Sequence, residues 1–177
     1  DNRIKKSLPT IKTLIKGRAK IALIAHQGDT LDYQNLVSLR EHAKKLGDYL
    51  NTPVSYVDDV AGPAAQEKVK ALKPGDIVLL GNLRYLSEEN STFENNVKLK
   101  PGEMLETYLV RGLSPIIDYY INDAFAAAHR NAPSMVAFQE IKPTAAGQLL
   151  SDEIAALDKI MLAPEHPSIF VLGGAKI

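Results

Sequence analysis

The sequence contains no cysteine, which excludes disulfides and thiolate chemistry and is compatible with a reducing compartment. It has no excess charge of either sign, because 21 basic and 21 acidic residues give a net charge of zero. Proteins that bind the phosphate backbone of nucleic acids usually carry a basic excess, so a nucleic acid is not the expected partner. No apolar run approaches the ~18 residues that a membrane-spanning helix needs, so no such helix is predicted.

Strand-like and helix-like segments alternate along the chain. Hydrophobic residues make up 45% and charged residues 24% of the 177 residues, which is typical of one globular domain. The predicted strands are 19–25, 54–57, 76–80, 116–122 and 168–172, and the predicted helices are 3–16, 36–50, 62–72, 102–112 and 149–160. This alternation predicts an α/β fold, in which a parallel sheet has helices on both faces in a Rossmann-like three-layer domain.

Two segments interrupt this regular pattern. Pro9 lies within the first predicted helix, so we expect a kink or a restart of the helix there. Residues 86–102 are polar and rich in Asn and Glu, and we interpret them as a loop or a short excursion.

Four apolar runs are followed by a basic or imidazole side chain: His26, Arg84, Arg130 and Lys176. The carboxyl ends of parallel strands lie along one edge of a sheet, where ligands of open α/β sheets bind. We therefore expect these side chains to come together although they are far apart in sequence. Such a cluster suits a small, multiply charged anion, and phosphate is the first candidate.

Each of these side chains also has a simpler structural explanation. His26 could cap a strand or bond to the backbone. Arg84 could be a surface residue paired with Glu88 or Glu89. Arg130 could be exposed to solvent on a short helix. These alternatives stay open at the level of sequence.

Other candidates fit an anion site less directly. Asp29 would repel phosphate, so we expect it to cap the backbone or to hold a neighbouring arginine. Arg3 lies in a basic run that more often forms a solvated helix face. The glycines of Gly173–Lys176 would let the backbone approach a ligand, but the segment lacks the spacing of a P-loop. No His, Asp and Glu set has metal-ligand spacing, so no metal site is predicted.

Several stretches occur together in one order over nearly the whole chain. They are Asp1–Ile4, Leu8–Ile11, Ala25–Gly28, Asn82–Arg84, Glu88–Glu89, Asn122–Arg130, Pro133–Ser134 and Gly173–Lys176. Together they resemble the phosphoglycerate kinase family, in particular its archaeal branch. The Asn122–Arg130 and Gly173–Lys176 stretches make the resemblance specific.

The resemblance implies a two-domain, hinge-bending, cytoplasmic kinase. Such an enzyme transfers phosphoryl between 1,3-bisphosphoglycerate and ADP, giving 3-phosphoglycerate and ATP with Mg²⁺. The implied partners are these small molecules, with no nucleic acid and no membrane. Mg-ATP or Mg-ADP would act in the full-length enzyme, and no cofactor is expected on this part of it.

The resemblance also implies roles for individual residues. Arg3, His26, Arg84 and Arg130 match the family's basic patch, and Arg3 would lie nearest the transferring phosphoryl group. Lys176 matches a lysine that helps to stabilise that group in flight, so Arg3 and Lys176 are the catalytic candidates. The candidate substrate-binding residues are Arg3, His26, Gln27, Gly28, Asp29, Arg84 and Arg130.

The resemblance further implies a fragment of a longer protein. We expect residues 1–150 to be the phosphoglycerate-binding N-terminal domain, and 151–177 to be an interdomain helix and the first strand of a nucleotide-binding domain. Asp29 departs from the family, because many members have a basic residue there. A non-catalytic anion-binding or scaffold module therefore stays open as an alternative, as does a kinase of another sugar acid or carboxylate.

Overall fold

Helices and strands alternate in the structure. The computed structural model of the chain describes residues 2–29, 32–169 and 171. The elements are α1 (Asn2–Lys16), β1 (Ile21–Ala25), α2 (Arg40–Leu50), β2 (Val54–Tyr56), α3 (Pro63–Lys70), β3 (Ile77–Asn82), α4 (Ser91–Val97), α5 (Tyr108–Leu113), β4 (Tyr120–Asn122), α6 (Pro133–Val136), β5 (Thr144–Ala146) and α7 (Gln148–Leu162). Short 3-10 helices cover Tyr33–Asn35, Leu83–Tyr85, Ser87–Glu89, Glu103–Glu106, Ser114–Ile116, Phe125–Ala127 and Phe138–Glu140.

The central strand, β3, belongs to a parallel sheet with the strand order β1-β3-β2. Ile77 pairs with Ile21 on β1 and with Val54 on β2. All residues of β3 are buried, as expected for a parallel strand covered on both faces. A second parallel pair, β4 and β5, places Tyr120 opposite Thr144. The predicted parallel α/β fold is confirmed, with its strands divided between two sheets.

Alternate side chains of β3 enter two different cores. Val78 and Leu80 pack with residues of α3 and α5, among them Leu109. Ile77 and Leu79 pack on the opposite face, where α1 and α2 lie. Because successive side chains of a strand point to opposite faces, helices cover both faces of the sheet, as predicted.

An extra residue interrupts the register at the carboxyl end of β3. Leu23 on β1 pairs with Leu79 on β3. Ala25 lies two residues after Leu23, but its partner Asn82 lies three residues after Leu79. A bulge of this kind redirects the side chains beside it. It lies at the edge of the sheet where β1 also ends, and Asn82 is the last residue of the strand.

The structure corrects two predictions about elements and adds two elements that were not predicted. The first helix does not restart at Pro9, because α1 runs through this residue from Asn2 to Lys16; a kink there stays a prediction. The segment 86–102 is not a plain loop, since it contains the 3-10 helix Ser87–Glu89 and α4. Some of its polar side chains, among them Glu89, Ser91 and Glu94, bond to other segments, whereas Asn95 and Asn96 are exposed. The elements α6 and β5, missing from the sequence prediction, are too short to produce a periodic pattern.

The predicted strand 168–172 has no counterpart in the described residues. Ser168, Ile169 and Val171 are not in a strand, and residues 170 and 172 lie outside the described part of the chain. In the described part, no helix combines the length and the apolar character needed to cross a membrane.

Candidate functional site

Asn82 connects the carboxyl end of β3 to the segment that follows β1. Its side chain is fully buried. Its Oδ1 accepts hydrogen bonds from the backbone N–H groups of Gln27 at 3.0 Å and Arg84 at 3.1 Å. Its Nδ2 donates to the carbonyls of Gln27 at 2.8 Å and Val37 at 2.9 Å. The amide thus uses all four of its hydrogen-bonding positions, and it fixes the start of the Gln27–Asp29 segment.

Gly28 allows this segment to turn. Its φ of 73° lies in the left-handed region that favours glycine. A Cβ added there would lie 2.5 Å from backbone atoms of Asn35 and Leu36. Substitution of Gly28 would therefore displace Asp29, the next residue along the chain.

Asp29 faces an arginine, as the sequence analysis expects. Its Oδ2 lies 3.6 Å from Nη1 of Arg84. The same oxygen accepts a hydrogen bond from Ser91 Oγ at 2.6 Å. The expectation that Asp29 holds a neighbouring arginine is confirmed.

Arg84 is a buried guanidinium with only 8% of its side chain exposed. Its Nη1 donates to the backbone carbonyl of Glu89. Its Nε is buried, and neither Nε nor Nη2 has a hydrogen-bond partner among the described residues. The alternative that Arg84 is a surface residue paired with the side chain of Glu88 or Glu89 is wrong, because Arg84 is buried and bonds to the backbone carbonyl of Glu89.

Arg130 reaches the same place from the segment after β4. Its Nη2 donates to Ser91 Oγ at 2.9 Å and lies 2.9 Å from Oε2 of Glu94. Only 14% of the side chain is exposed, so the alternative of a solvent-exposed arginine is wrong. Ser91 Oγ accepts from Arg130 and donates to Asp29, and thereby links the two segments.

Glu89 is a fully buried carboxylate that binds His26 and Ser134. Its Oε2 lies 2.7 Å from Nε2 of His26. Ser134 donates its backbone N–H to Oε1 at 2.7 Å and its Oγ–H to Oε2 at 2.6 Å. Tyr120 donates its hydroxyl to the Ser134 carbonyl at 2.5 Å. The alternative of a backbone-bonded His26 is wrong, because its ring bonds to a carboxylate.

These residues form one network, which we call the strand-end cluster: His26, Asp29, Arg84, Glu89, Ser91, Glu94 and Arg130. It contains three carboxylates and two guanidiniums. With a neutral imidazole the cluster has one excess negative charge, and with a protonated imidazole it is balanced. An anion that enters therefore competes with carboxylates already present.

Burial and nearby charge act together on the ionisable groups here. Burial lowers the pKa of Arg84 from its ordinary value, and the charge of Arg130 lowers it further, while nearby carboxylates oppose the shift. The two guanidiniums are thus close enough to repel each other. Burial also raises the pKa of Tyr120 to about 12, with a further contribution from the Glu89 charge.

The two candidates with proposed catalytic roles stand apart from this network. Arg3 is exposed on α1, which packs against α2 and α7. Within the described residues Arg3 has no hydrogen bond or ion pair. Lys176 and the glycines before it lie outside the described residues. The structure thus brings together His26, Arg84 and Arg130, with Gln27, Gly28 and Asp29 beside them.

Sequence reasoning missed several members of the site. Ser91 and Glu94 lie in the stretch interpreted as a loop, and Ser134 lies in a helix that was too short to predict. Glu89 is part of the family resemblance, but the only contact that the sequence suggests for it is a surface ion pair with Arg84. One signal existed for Asn82, because a polar amide directly follows an apolar run. In the described part of the chain, no group of three or more His, Cys, Asp or Glu side chains is arranged to hold a metal ion.

Comparisons with known proteins agree on one family. A family model described as phosphoglycerate kinase matches residues 1–177. The chain is 44% identical over 177 residues to the phosphoglycerate kinase of Sulfurisphaera tokodaii, and 46% identical over 178 residues to that of Pyrococcus abyssi. All of this chain is matched in both alignments, against 41% and 42% of the relatives.

Solved structures show the same likeness. The crystal structure of phosphoglycerate kinase from Pyrococcus horikoshii matches 99% of this chain with a TM-score of 0.90 and 43% identity. The structure of phosphoglycerate kinase from Coxiella burnetii matches 94% with a TM-score of 0.71 and 29% identity. The chain covers 42% and 39% of these two proteins, so it spans about two fifths of the length of the relatives it matches.

Proposed function

This chain belongs to the phosphoglycerate kinase family, and from that premise we propose that it supplies the phosphoglycerate-binding part of a kinase. The proposed reaction transfers phosphoryl between 1,3-bisphosphoglycerate and ADP, giving 3-phosphoglycerate and ATP. The proposed location is the cytoplasm, which rests on the family resemblance alone. The observation that carries the proposal is the meeting of two guanidiniums, the buried Arg84 and the partly buried Arg130, at the edge of the sheet.

Burial and the charge of Arg130 lower the pKa of Arg84 in spite of the neighbouring carboxylates, so a further anion would stabilise this guanidinium. Burial without a partner destabilises a charged group, and like charges add to the cost. Arg84 Nη2 and Arg130 Nη1 have no hydrogen-bond partner within the described residues. Guanidinium groups bind phosphate and carboxylate through paired N–H donors. A three-carbon acid with a phosphate at one end offers both kinds of acceptor.

The residues would divide the work of binding. Arg84 and Arg130 would bind the phosphate and the carboxylate of the substrate, with His26 as a further contact. Gln27, Gly28 and Asp29 would form the wall beside them, where the Asp29 carboxylate pairs with the Arg84 guanidinium until the substrate binds. This is the positioning and electrostatic stabilisation on which phosphoryl transfer depends.

The remaining roles rest on the family resemblance alone. Arg3 and Lys176 would lie nearest the transferring phosphoryl group, and Mg-ATP or Mg-ADP would be the second substrate. Residues 1–150 would form the phosphoglycerate domain, and 151–177 would lead into the nucleotide domain.

One observation favours a second candidate, a non-catalytic anion-binding or scaffold module. The strand-end cluster already contains three carboxylates for two guanidiniums, so its arginines have internal partners. In a scaffold these ion pairs would be permanent, and 3-phosphoglycerate would not displace them. In the kinase half-site, the substrate would exchange with Asp29 or Glu94.

Titration of the ¹⁵N-labelled chain with 3-phosphoglycerate separates the two candidates. The kinase half-site predicts saturable amide shifts centred on Gln27, Arg84 and Arg130. Arg84→Gln should abolish them, while the matched variant Arg111→Gln should not, because Arg111 is 69% exposed and lies 3.9 Å from Glu106. The scaffold predicts no saturable shift.

A further inference from the structure

The buried Glu89 carboxylate has no part in the binding scheme above, yet the residue contacts two members of that scheme, His26 and Arg84. Its side chain bonds to His26 and to Ser134, and its own carbonyl accepts from Arg84. These contacts come from three separate segments of the chain. A fully buried charge is expensive to keep, and it is retained when its oxygens are matched by donors.

The donors around Glu89 determine the tautomer of His26. A carboxylate only accepts hydrogen bonds, so Nε2 of His26 must carry the proton in the 2.7 Å contact. Nδ1 is then the ring nitrogen that remains for a ligand. It has no hydrogen bond within the described residues, and 19% of the side chain is exposed.

We propose that Glu89 is a positioning residue that presents Nδ1 of His26 to the bound anion. An anion would bind best to a ring that donates from Nδ1 while Nε2 still donates to Glu89. That form of the ring is the imidazolium, and Glu89 supplies the opposite charge on its other side. The inference rests on the proposed function for the identity of the anion, but the ligand-free tautomer does not depend on it.

Replacement of Glu89 by glutamine would turn two of the donors around it, His26 Nε2 and Ser134 Oγ, into acceptors. The backbone N–H of Ser134 can only donate, so it holds the amide oxygen at the position of Oε1. The amide NH₂ then occupies the position of Oε2, beside His26 Nε2 and Ser134 Oγ. Both of these atoms are able to accept, so the ring should change to the tautomer that carries its proton on Nδ1.

The test is ¹⁵N NMR of the histidine ring nitrogens in the 177-residue chain, with 3-phosphoglycerate as the probe. The wild-type ring should be protonated on Nε2 without ligand and on both nitrogens at saturation. In Glu89→Gln the ring should be protonated on Nδ1 alone in both states. Nδ1 of this variant would still donate to the anion, but from a neutral ring instead of an imidazolium, which should weaken 3-phosphoglycerate binding about tenfold.

The matched control is Glu88→Gln, one residue away in the same 3-10 helix. The Glu88 side chain accepts from the backbone N–H of Leu109 at 3.2 Å, away from His26. This variant should keep the wild-type tautomer and an affinity within about twofold of the wild type, since removal of a charge without a ligand contact has little effect.

The outcomes separate this inference from the proposed function. A wild-type ring without a proton on Nε2, or a Glu89→Gln variant with an unchanged tautomer, would overturn the positioning role. Absence of any binding to wild type would refute the proposed function, while the ligand-free tautomer would still decide the role of Glu89. If Glu89→Gln does not fold, the wild-type ring alone tests the role of Glu89. A proton on Nε2 before 3-phosphoglycerate is added and on both nitrogens afterwards supports the role, and any other result overturns it.

Discussion

The side-chain amide of Asn82 and the backbone of Gln27 form a reciprocal pair of hydrogen bonds, 3.0 Å and 2.8 Å long, across 55 positions of the chain. This pair attaches the segment that precedes Asp29 to the carboxyl end of β3. The position of the Asp29 carboxylate therefore depends on an amide that would not itself touch a ligand.

Asn82→Ala should lower the free energy of unfolding by about 2–4 kcal/mol, because it leaves several buried backbone groups without partners. Urea unfolding measures the change. Asn95→Ala, at an exposed position of α4, should remain within about 0.5 kcal/mol of the wild type. Equal effects of the two substitutions would show that the Asn82 network does not stabilise the fold.

Asp29→Asn should tighten 3-phosphoglycerate binding by about threefold at low salt. The substitution removes a charge that competes with the ligand for Arg84, and the effect should shrink at high salt because of screening. Calorimetric titration at two salt concentrations checks this. Asp48→Asn, an exposed position on α2, makes the same change in net charge and should have little effect. Weaker binding by Asp29→Asn would mean that this carboxylate supports the ligand and does not compete with it.

Tyr120 should make stability sensitive to alkaline pH. Its pKa is about 12 in the folded chain and about 10 for an ordinary tyrosine. The neutral hydroxyl is thus favoured in the folded state, and this stabilisation is complete below about pH 10 and lost as the pH rises towards 12. Two pKa units correspond to about 2–3 kcal/mol.

Urea unfolding of wild type and Tyr120→Phe across this range measures the effect. The free energy of unfolding of the wild type should fall by about 2–3 kcal/mol relative to that of Tyr120→Phe as the pH rises from about 10 to about 12. Tyr119→Phe is the matched control, because Tyr119 is 72% exposed, and it should follow the wild type. A Tyr120→Phe difference that is constant with pH would contradict the prediction.

The 177-residue chain should bind 3-phosphoglycerate weakly and should not turn it over with Mg-ATP. It spans about two fifths of its relatives, and the proposed nucleotide site lies outside that span. A steady-state assay with the complete Pyrococcus horikoshii enzyme as positive control tests this. Measurable turnover by the chain alone would refute the prediction.

The parallel α/β fold was predictable because buried strands such as β3 leave continuous apolar runs, and because α2 carries a clear apolar stripe. The convergence of Arg84 and His26 was also predictable, since both follow strands that pair in one sheet. Arg130 was predicted by the same rule, although its strand belongs to the second sheet.

The buried polar network could not be predicted in the same way. Glu89, Ser91 and Glu94 lie in a polar segment, and a polar segment has no periodicity that distinguishes buried side chains from solvated ones. Their burial depends on contacts with Arg130 and Ser134, which only the folded chain brings close. The exposed position of Arg3, in contrast, agrees with the solvated helix face that its basic run favours.

A crystal structure of the chain with 3-phosphoglycerate tests the proposed binding site most directly. We expect the phosphate and carboxylate oxygens within hydrogen-bonding distance of the Arg84 and Arg130 guanidiniums, with Asp29 or Glu94 moved away from its arginine. A ligand bound elsewhere, or both ion pairs intact beside an empty site at saturating ligand, would contradict the proposal.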